Sequence, residues 1–355
     1  MPLESLIPSP DLLPVHWGWL RLLLVFTFIL HILAMNAMLG SGIIAFVNTL
    51  RKGRETGKTV NRSVSRKLPF TIAFTVNFGV APLLFLQALY GQFIYTSSVL
   101  MGVFWLSIVG LLIIAYYSAY IYNFRFDRQN GSASVFIGIA VVLMLVIAFF
   151  FSNNMTLMLN PDSWTRYFDT PDGTLLNLSD PILFPRYLHF VTASAAVGGL
   201  FIALSARFGT KGPENEARIE SGMKWFTYAT AFQFIVGTAF FLSLPQEIRQ
   251  MFMGQAPLAT TLLLAAILLA AAAVVLGLKR MVLPSAAAAL VLVCGMAVIR
   301  DLVRQAYLNP FFHPADLPVK PEYSPMIFFL ITLFAGLFVI GYMLRIALVR
   351  NGEVQ

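Results

Sequence analysis

An all-α polytopic membrane fold with about nine transmembrane helices is predicted by three features of the sequence: its composition, the length of its apolar runs and the placement of its basic residues. Of 355 residues, 58% are hydrophobic and 11% charged, and the mean hydropathy is +0.78. A water-soluble globule of this length needs far more polar surface, so the solvent is a lipid bilayer. The apolar runs reach roughly 20 residues or more, enough to cross about 30 Å of hydrocarbon at 1.5 Å per residue. The net charge of +8 reads mainly as an orientation signal and gives no support for a nucleic-acid partner.

In chain order the expected spans are 18–50, 68–94, 98–123, 133–159, 182–206, 224–246, 256–278, 282–304 and 324–348. Residues 1–15 lack a basic n-region and contain Pro2, Pro8, Pro10 and Pro14, so no cleavable signal is expected and the first span directs insertion. An odd number of spans puts the termini on opposite sides, and Lys and Arg in short loops stay cytoplasmic. One side holds 17 basic residues, from Arg51 through Arg280 in its loops plus Arg345 and Arg350 in the tail. The other holds 7: Arg21, Arg166, Arg186, Arg249, Arg300, Arg304 and Lys320. The expected topology is therefore that of a bacterial-type inner membrane protein with a periplasmic N-terminus and a cytoplasmic C-terminus.

The polar outer loops 160–181 and 307–325 are rich in Pro, Asp and Asn and read as caps over an outward surface. Neither is long enough for a separate domain, so residues 1–355 are expected to form one transmembrane domain. A weak repeat divides it. His31 precedes Gly40 by nine residues in the first span, and His189 precedes Gly198 by nine in the fifth, with Arg21 and Arg186 toward the outer ends. That spacing predicts a four-helix unit over 18–159, a second over 182–304 and a final helix over 324–348. The Ala-rich stretch 262–275 reads as a small-residue helix for close helix packing.

The candidate chemistry starts with the two intramembrane histidines. Each imidazole has two polar nitrogens to satisfy in an apolar setting. Alone, such a histidine is readily a helix-bridging hydrogen-bond partner. Two in matched contexts point instead to axial nitrogens for heme iron, presented from rigid helices. The glycines lie about 14 Å further along and on nearly the opposite face, so they serve close helix contact rather than the same heme. The single cysteine, Cys294, excludes a disulfide or a CxxCH attachment, so any heme is held non-covalently. Arg21 and Arg186 read either as counter-ions for heme propionates or as snorkelling interface arginines. His16 and His313 read as interfacial and loop residues.

Acidic residues are absent from the middle of every span, which disfavours proton-driven transport and proton pumping. Glu247 and Asp301 stand near outer ends, beside Arg249, Arg300 and Arg304. Each is either part of an interface anchor or a catalytic acceptor for the proton released when a quinol is oxidised.

These residues resemble those of a known family. Arg21, His31 and Gly40, then Asn77-Phe78, Gly79-Val80-Ala81 and Gly91, then Met158-Leu159-Asn160-Pro161 and the run from Arg186 to Gly198 are similar to subunit I of cytochrome bd quinol oxidases. The resemblance covers about 18–250. It implies nine helices with the N-terminus outside, heme b (one or two) and quinol as substrate. It also implies that His189 is a ligand of a low-spin heme b and that His31 is a ligand in a second heme region. Departures accompany it: Gln87 and Ser107 stand where the family has glutamates, Phe334 where a methionine ligand is expected, and the quinol loop shrinks to 245–254. Without those carboxylates a dioxygen-reducing centre is hard to supply with protons.

The expectation is a membrane electron-transfer subunit that binds heme b through His31 and His189, oxidises quinol, and passes electrons to an outward-facing multiheme cytochrome c or iron–sulfur partner. Two alternatives stand beside it: a bd-type quinol-dependent oxygen reductase, and a heme-free transporter or structural anchor whose histidines bridge helices.

Overall fold

The computed structural model describes residues 6–51, 55–126, 133–169, 171–209 and 212–352. Of the basic residues counted above, Lys52, Arg54, Arg128 and Lys211 lie outside these, as does the side chain of Arg350. Nine helices among the described residues are long and apolar enough to cross a membrane. They are α1 (Trp17–Leu50), α2 (Glu55–Leu100), α3 (Gly102–Arg125), α4 (Ala133–Leu159), α5 (Leu183–Arg207), α6 (Pro213–Ser243), α8 (Pro257–Leu278), α9 (Val282–Leu308) and α10 (Tyr323–Gly352), with a five-residue helix α7 (Gln246–Gln250) after α6.

Local chemistry sets several of the ends. Pro213 and Pro257 open α6 and α8, where a missing backbone N–H breaks no helical bond. His16 caps α1 by accepting a hydrogen bond from the Gly18 N–H at 3.1 Å. His313 does the same for Ala315, also at 3.1 Å. Both histidines outside the spans are thereby used as caps. The second helix extends beyond the expected span at its N-terminal end, because the Thr- and Lys-containing segment from Glu55 continues the helix out of the apolar run. Its helical geometry lapses at Tyr90 (φ −136°, ψ 34°), next to Gly91.

Helices α1 to α4 pack on one another, and α5, α6, α8 and α9 form a second mutually packed set in which α5 touches α6 and α9, and α6 touches α8. The two sets meet where α1 crosses α5. A Cβ on Gly40 would collide with the Ser194 carbonyl oxygen, and one on Gly198 with the Gly40 backbone. The two glycines of the repeat therefore pack against each other. Near this crossing the Ser194 hydroxyl donates to Asn36 Oδ1 at 2.8 Å. Gly198→Val is expected to force the helices apart and destabilise the protein by about 1–3 kcal/mol or more, read as an earlier thermal transition in detergent. An unchanged transition would contradict this account of the crossing.

Along α8 the small residues Ala259, Ala266, Ala273 and Gly277 are the buried ones, so the Ala-rich stretch supplies a close-packing stripe. In α10 none of the described side chains is buried. The loop that precedes α10 is tied to the N-terminal segment by Leu13 N–H to the Pro318 carbonyl at 3.0 Å and Lys320 N–H to the Leu13 carbonyl at 2.9 Å. The 160–181 loop is fastened by the Trp164 indole N–H to the Leu157 carbonyl at 2.8 Å, and by the Asn177 N–H to Asn153 Oδ1 at 2.7 Å.

Candidate functional site

A cavity of about 690 Å³ lies within the second helix set, closed on one side by Phe28, Ile32 and Asn36 of α1. Its size falls in the range of roughly 300–1,000 Å³ usual for small-molecule and cofactor sites. The end toward the basic-rich loops is apolar, with Phe226, Ala273, Ala289 and Val293 in its wall. Polar groups gather at the other end: Arg186 and His189 from α5, and Arg300, Arg304 and Tyr307 from α9. The mouth is formed by the 160–181 segment through Asn160, Asp162, Ser163, Asn177, Ser179 and Asp180.

Ten buried side-chain nitrogen or oxygen atoms among the described residues lack a hydrogen-bond partner. Five of these ten belong to side chains that line this one cavity: Nε of Arg186, Nε of Arg300, Nδ1 of His189, Oε1 of Gln233 and the Tyr307 hydroxyl. Each such group costs about 1–3 kcal/mol when left unpaired, and more when charged. Native interiors hold few of them, so their convergence marks a place built for a polar or charged occupant.

His189 projects from α5 toward α6. Gln233 Nε2 donates to the His189 carbonyl oxygen at 2.9 Å, a Cβ on Gly237 would stand 3.5 Å from the imidazole, and the Phe240 ring centroid is 5.5 Å away. Nδ1 is sealed in this corner, leaving Nε2 as the ring nitrogen available to the cavity. Sequence reasoning misses Gln233, Gly237 and Phe240. Their i, i+4, i+7 spacing on α6 is the signal that places them on one face.

Arg186 is only 6% exposed and has Arg304 and Tyr307 as electrostatic neighbours. Arg300 lays its guanidinium over the Phe28 ring at 4.3 Å. Arg304 pairs with Asp301 at 3.2 Å and covers the Tyr90 ring at 5.3 Å.

The other expected site residues lie elsewhere. Asp301, 2% exposed, receives Arg21 Nε at 2.7 Å, Gln305 Nε2 at 2.7 Å and Arg304, and so clamps α1 to α9. It does not line the cavity, and Arg21 is its ion-pair partner. Glu247 is exposed on α7. His31 also stands outside the cavity, wedged against α2: its Nδ1 is 3.1 Å from the Thr75 carbonyl oxygen, and a Cβ on Gly79 would sit 2.9 Å from the ring. Of the six expected residues, only His189 and Arg186 line the cavity.

No protein-family model and no curated protein matches the chain. A solved structure does: bd oxidase from Geobacillus thermodenitrificans, with a TM-score of 0.66 over 92% of this chain and 96% of that one, at 13% identity. The chain has the bd oxidase fold. That likeness reaches well beyond 18–250, the stretch that carries the sequence motifs. Thirteen per cent identity leaves most side chains different, so what the bd oxidase fold contributes is the helix arrangement. No group of three or more His, Cys, Asp or Glu side chains among the described residues is placed to hold a bare metal ion.

Proposed function

We propose that the chain is a membrane electron-transfer subunit that holds b-type heme at His189, takes electrons from quinol and passes them to an outward-facing cytochrome c or iron–sulfur partner. The observation that supports it most is that four unpaired buried polar atoms, on Arg186, Gln233, Arg300 and Tyr307, belong to side chains in the wall of one largely apolar cavity that the His189 imidazole also lines. That donor set fits protoheme. Apolar walls suit a flat macrocycle, His189 offers an axial nitrogen, and the buried Arg186 and half-buried Arg300 offer two guanidinium groups to two propionates. Arg300 thus takes the counter-ion role expected of Arg21. When bound, heme would supply one-electron redox chemistry. The chain's own residues orient it, balance its charge and keep water from its apolar face.

His31 is the second proposed ligand. A carbonyl partner on Nδ1 fixes the ring and leaves Nε2 for a metal, the usual arrangement of a ligating histidine. Protons from quinol have acceptors at the mouth rather than in the helices. Asp162 is exposed and lines the cavity, and Glu247 lies two residues beyond the lining residue Pro245. The lining carboxylates, Asp162 and Asp180, both belong to the 160–181 segment, which under the 17-to-7 orientation faces outward.

The second reading, bd-type oxygen reduction, is favoured by the fold. Stopped-flow reduction of the heme by quinol, run beside an oxygen electrode, separates the two. Rapid heme reduction with slow oxygen uptake, and quinol oxidation that turns over only when an external electron acceptor is added and reduced, is the expected result. Fast intrinsic oxygen turnover by the chain and its smallest stable complex would reject electron export.

A further inference from the structure

We infer that heme in this cavity has one protein ligand, His189, and an open opposite face that takes a small exogenous ligand such as carbon monoxide or cyanide. The inference rests on the heme reading above and departs from the low-spin heme that the sequence resemblance implies for His189. A low-spin b heme needs a second strong axial donor from the surrounding helices. The cavity wall contains one histidine and no cysteine or lysine; its other ligating side chains are Met155, Met158, Met296, Tyr307 and two carboxylates of the 160–181 segment, Asp162, which is exposed, and Asp180, which already accepts from the Asn177 side chain and the Ile182 N–H.

Each is displaced from the place where a second ligand must stand. α8, diagonal to α5 in the helix set, is built from Ala, Leu, Thr, Val, Ile, Gly and Pro alone and offers no donor. Met155 and Met158 belong to α4. Tyr187 marks the α4-facing side of α5, since its hydroxyl donates to the Leu145 carbonyl oxygen at 3.0 Å. Two residues later the helix has turned about 200°, so His189 points away from α4.

Met296 is excluded by depth. α5 starts at Leu183 and the antiparallel α9 ends at Leu308, and Arg186 and Tyr307, each within a turn of those ends, line the same cavity, which pairs the start of α5 with the end of α9. His189, three residues further along α5, then lies level with the stretch from Asp301 to Arg304. Met296 is a further five to eight residues along α9, about 8–12 Å deeper. Side chains lean toward the N-terminus of their own helix, so His189 leans toward the mouth and Met296 away from it. The two diverge. Tyr307 is left, and a neutral phenol is a weak donor to heme iron.

The test uses the purified full-length chain, and the His31→Ala variant to remove any contribution from a second heme. In both, a high-spin ferric electron paramagnetic resonance signal is expected, together with a carbon monoxide adduct of the dithionite-reduced protein, one per heme. In the His31→Ala protein both signals should disappear on adding His189→Gln and persist in full on adding Met296→Leu or Tyr307→Phe. A low-spin ferric signal with no carbon monoxide shift in the His31→Ala protein would overturn the inference while leaving the heme reading intact. Conversion of coordination state in Met296→Leu or Tyr307→Phe would name that residue as the second ligand and overturn the inference in the same way. Protein with no Soret absorption would overturn the heme reading and the inference together.

Discussion

His189→Ala is expected to abolish the cavity's heme signal in protein that still inserts and folds. The axial nitrogen is supplied by this side chain alone among the residues of the cavity wall, whereas its packing contribution is a ring beside Gly237 and Phe240. Removing the ring enlarges a space that is already about 690 Å³, so the loss of coordination should far exceed the loss of stability. Two measurements separate them: the Soret band per mole of protein, and elution as a single species in detergent. Added imidazole should restore part of the band in His189→Ala, because a soluble ligand can occupy the vacated corner. His31→Ala, in contrast, should leave the His189 heme in place and remove only a separate spectral component. Full heme occupancy in folded His189→Ala would contradict the assignment of the ligand.

The second large effect is expected at Asp301. Its carboxylate receives Arg21 from α1 and Arg304 and Gln305 from its own helix. Asp301→Ala strands Arg304, which is 5% exposed, without its anion. Breaking a buried pair by deleting one partner typically costs about 3–5 kcal/mol. The thermal transition in detergent should fall accordingly, and Arg21→Ala combined with Asp301→Ala should lose less than the sum of the two single losses, since both disrupt one interaction. A transition within about 0.5 kcal/mol of the parent would mark the cluster as an ordinary surface feature. Asp301→Asn offers a separate check. Normal stability with slowed quinol-dependent heme reduction would assign proton acceptance to this carboxylate instead of a clamp.

Much of the architecture is legible in the sequence because lipid imposes simple rules. Apolar run length gives the number of spans, and the spacing of Gly40 and Gly198 anticipates a close helix contact that stands at the α1–α5 crossing. The small-residue character of 262–275 likewise matches the buried stripe of α8. The site is less legible, because periodicity tells which residues share a face of one helix but not which faces of different helices meet. His31 and His189 look equivalent along the sequence, yet only His189 lies on the face that lines the cavity. Arg21 reads either as a propionate counter-ion or as an interface arginine, and the carboxylate it pairs with, Asp301, is 280 residues away. The spacing of Gln233, Gly237 and Phe240 puts them on one face of α6, but that this face meets His189 shows only when α6 is laid against α5.

The most direct measurement of the central claim is the absorption spectrum of the full-length chain, purified after heme-replete expression, followed by acid-acetone extraction. The account predicts a Soret band that shifts on reduction, and protoheme recovered in the extract, because the chain has one cysteine, Cys294, and no CxxCH sequence to hold it covalently. Colourless, folded protein with no Soret band would contradict it, leaving the bd oxidase fold with a cavity used for something other than heme.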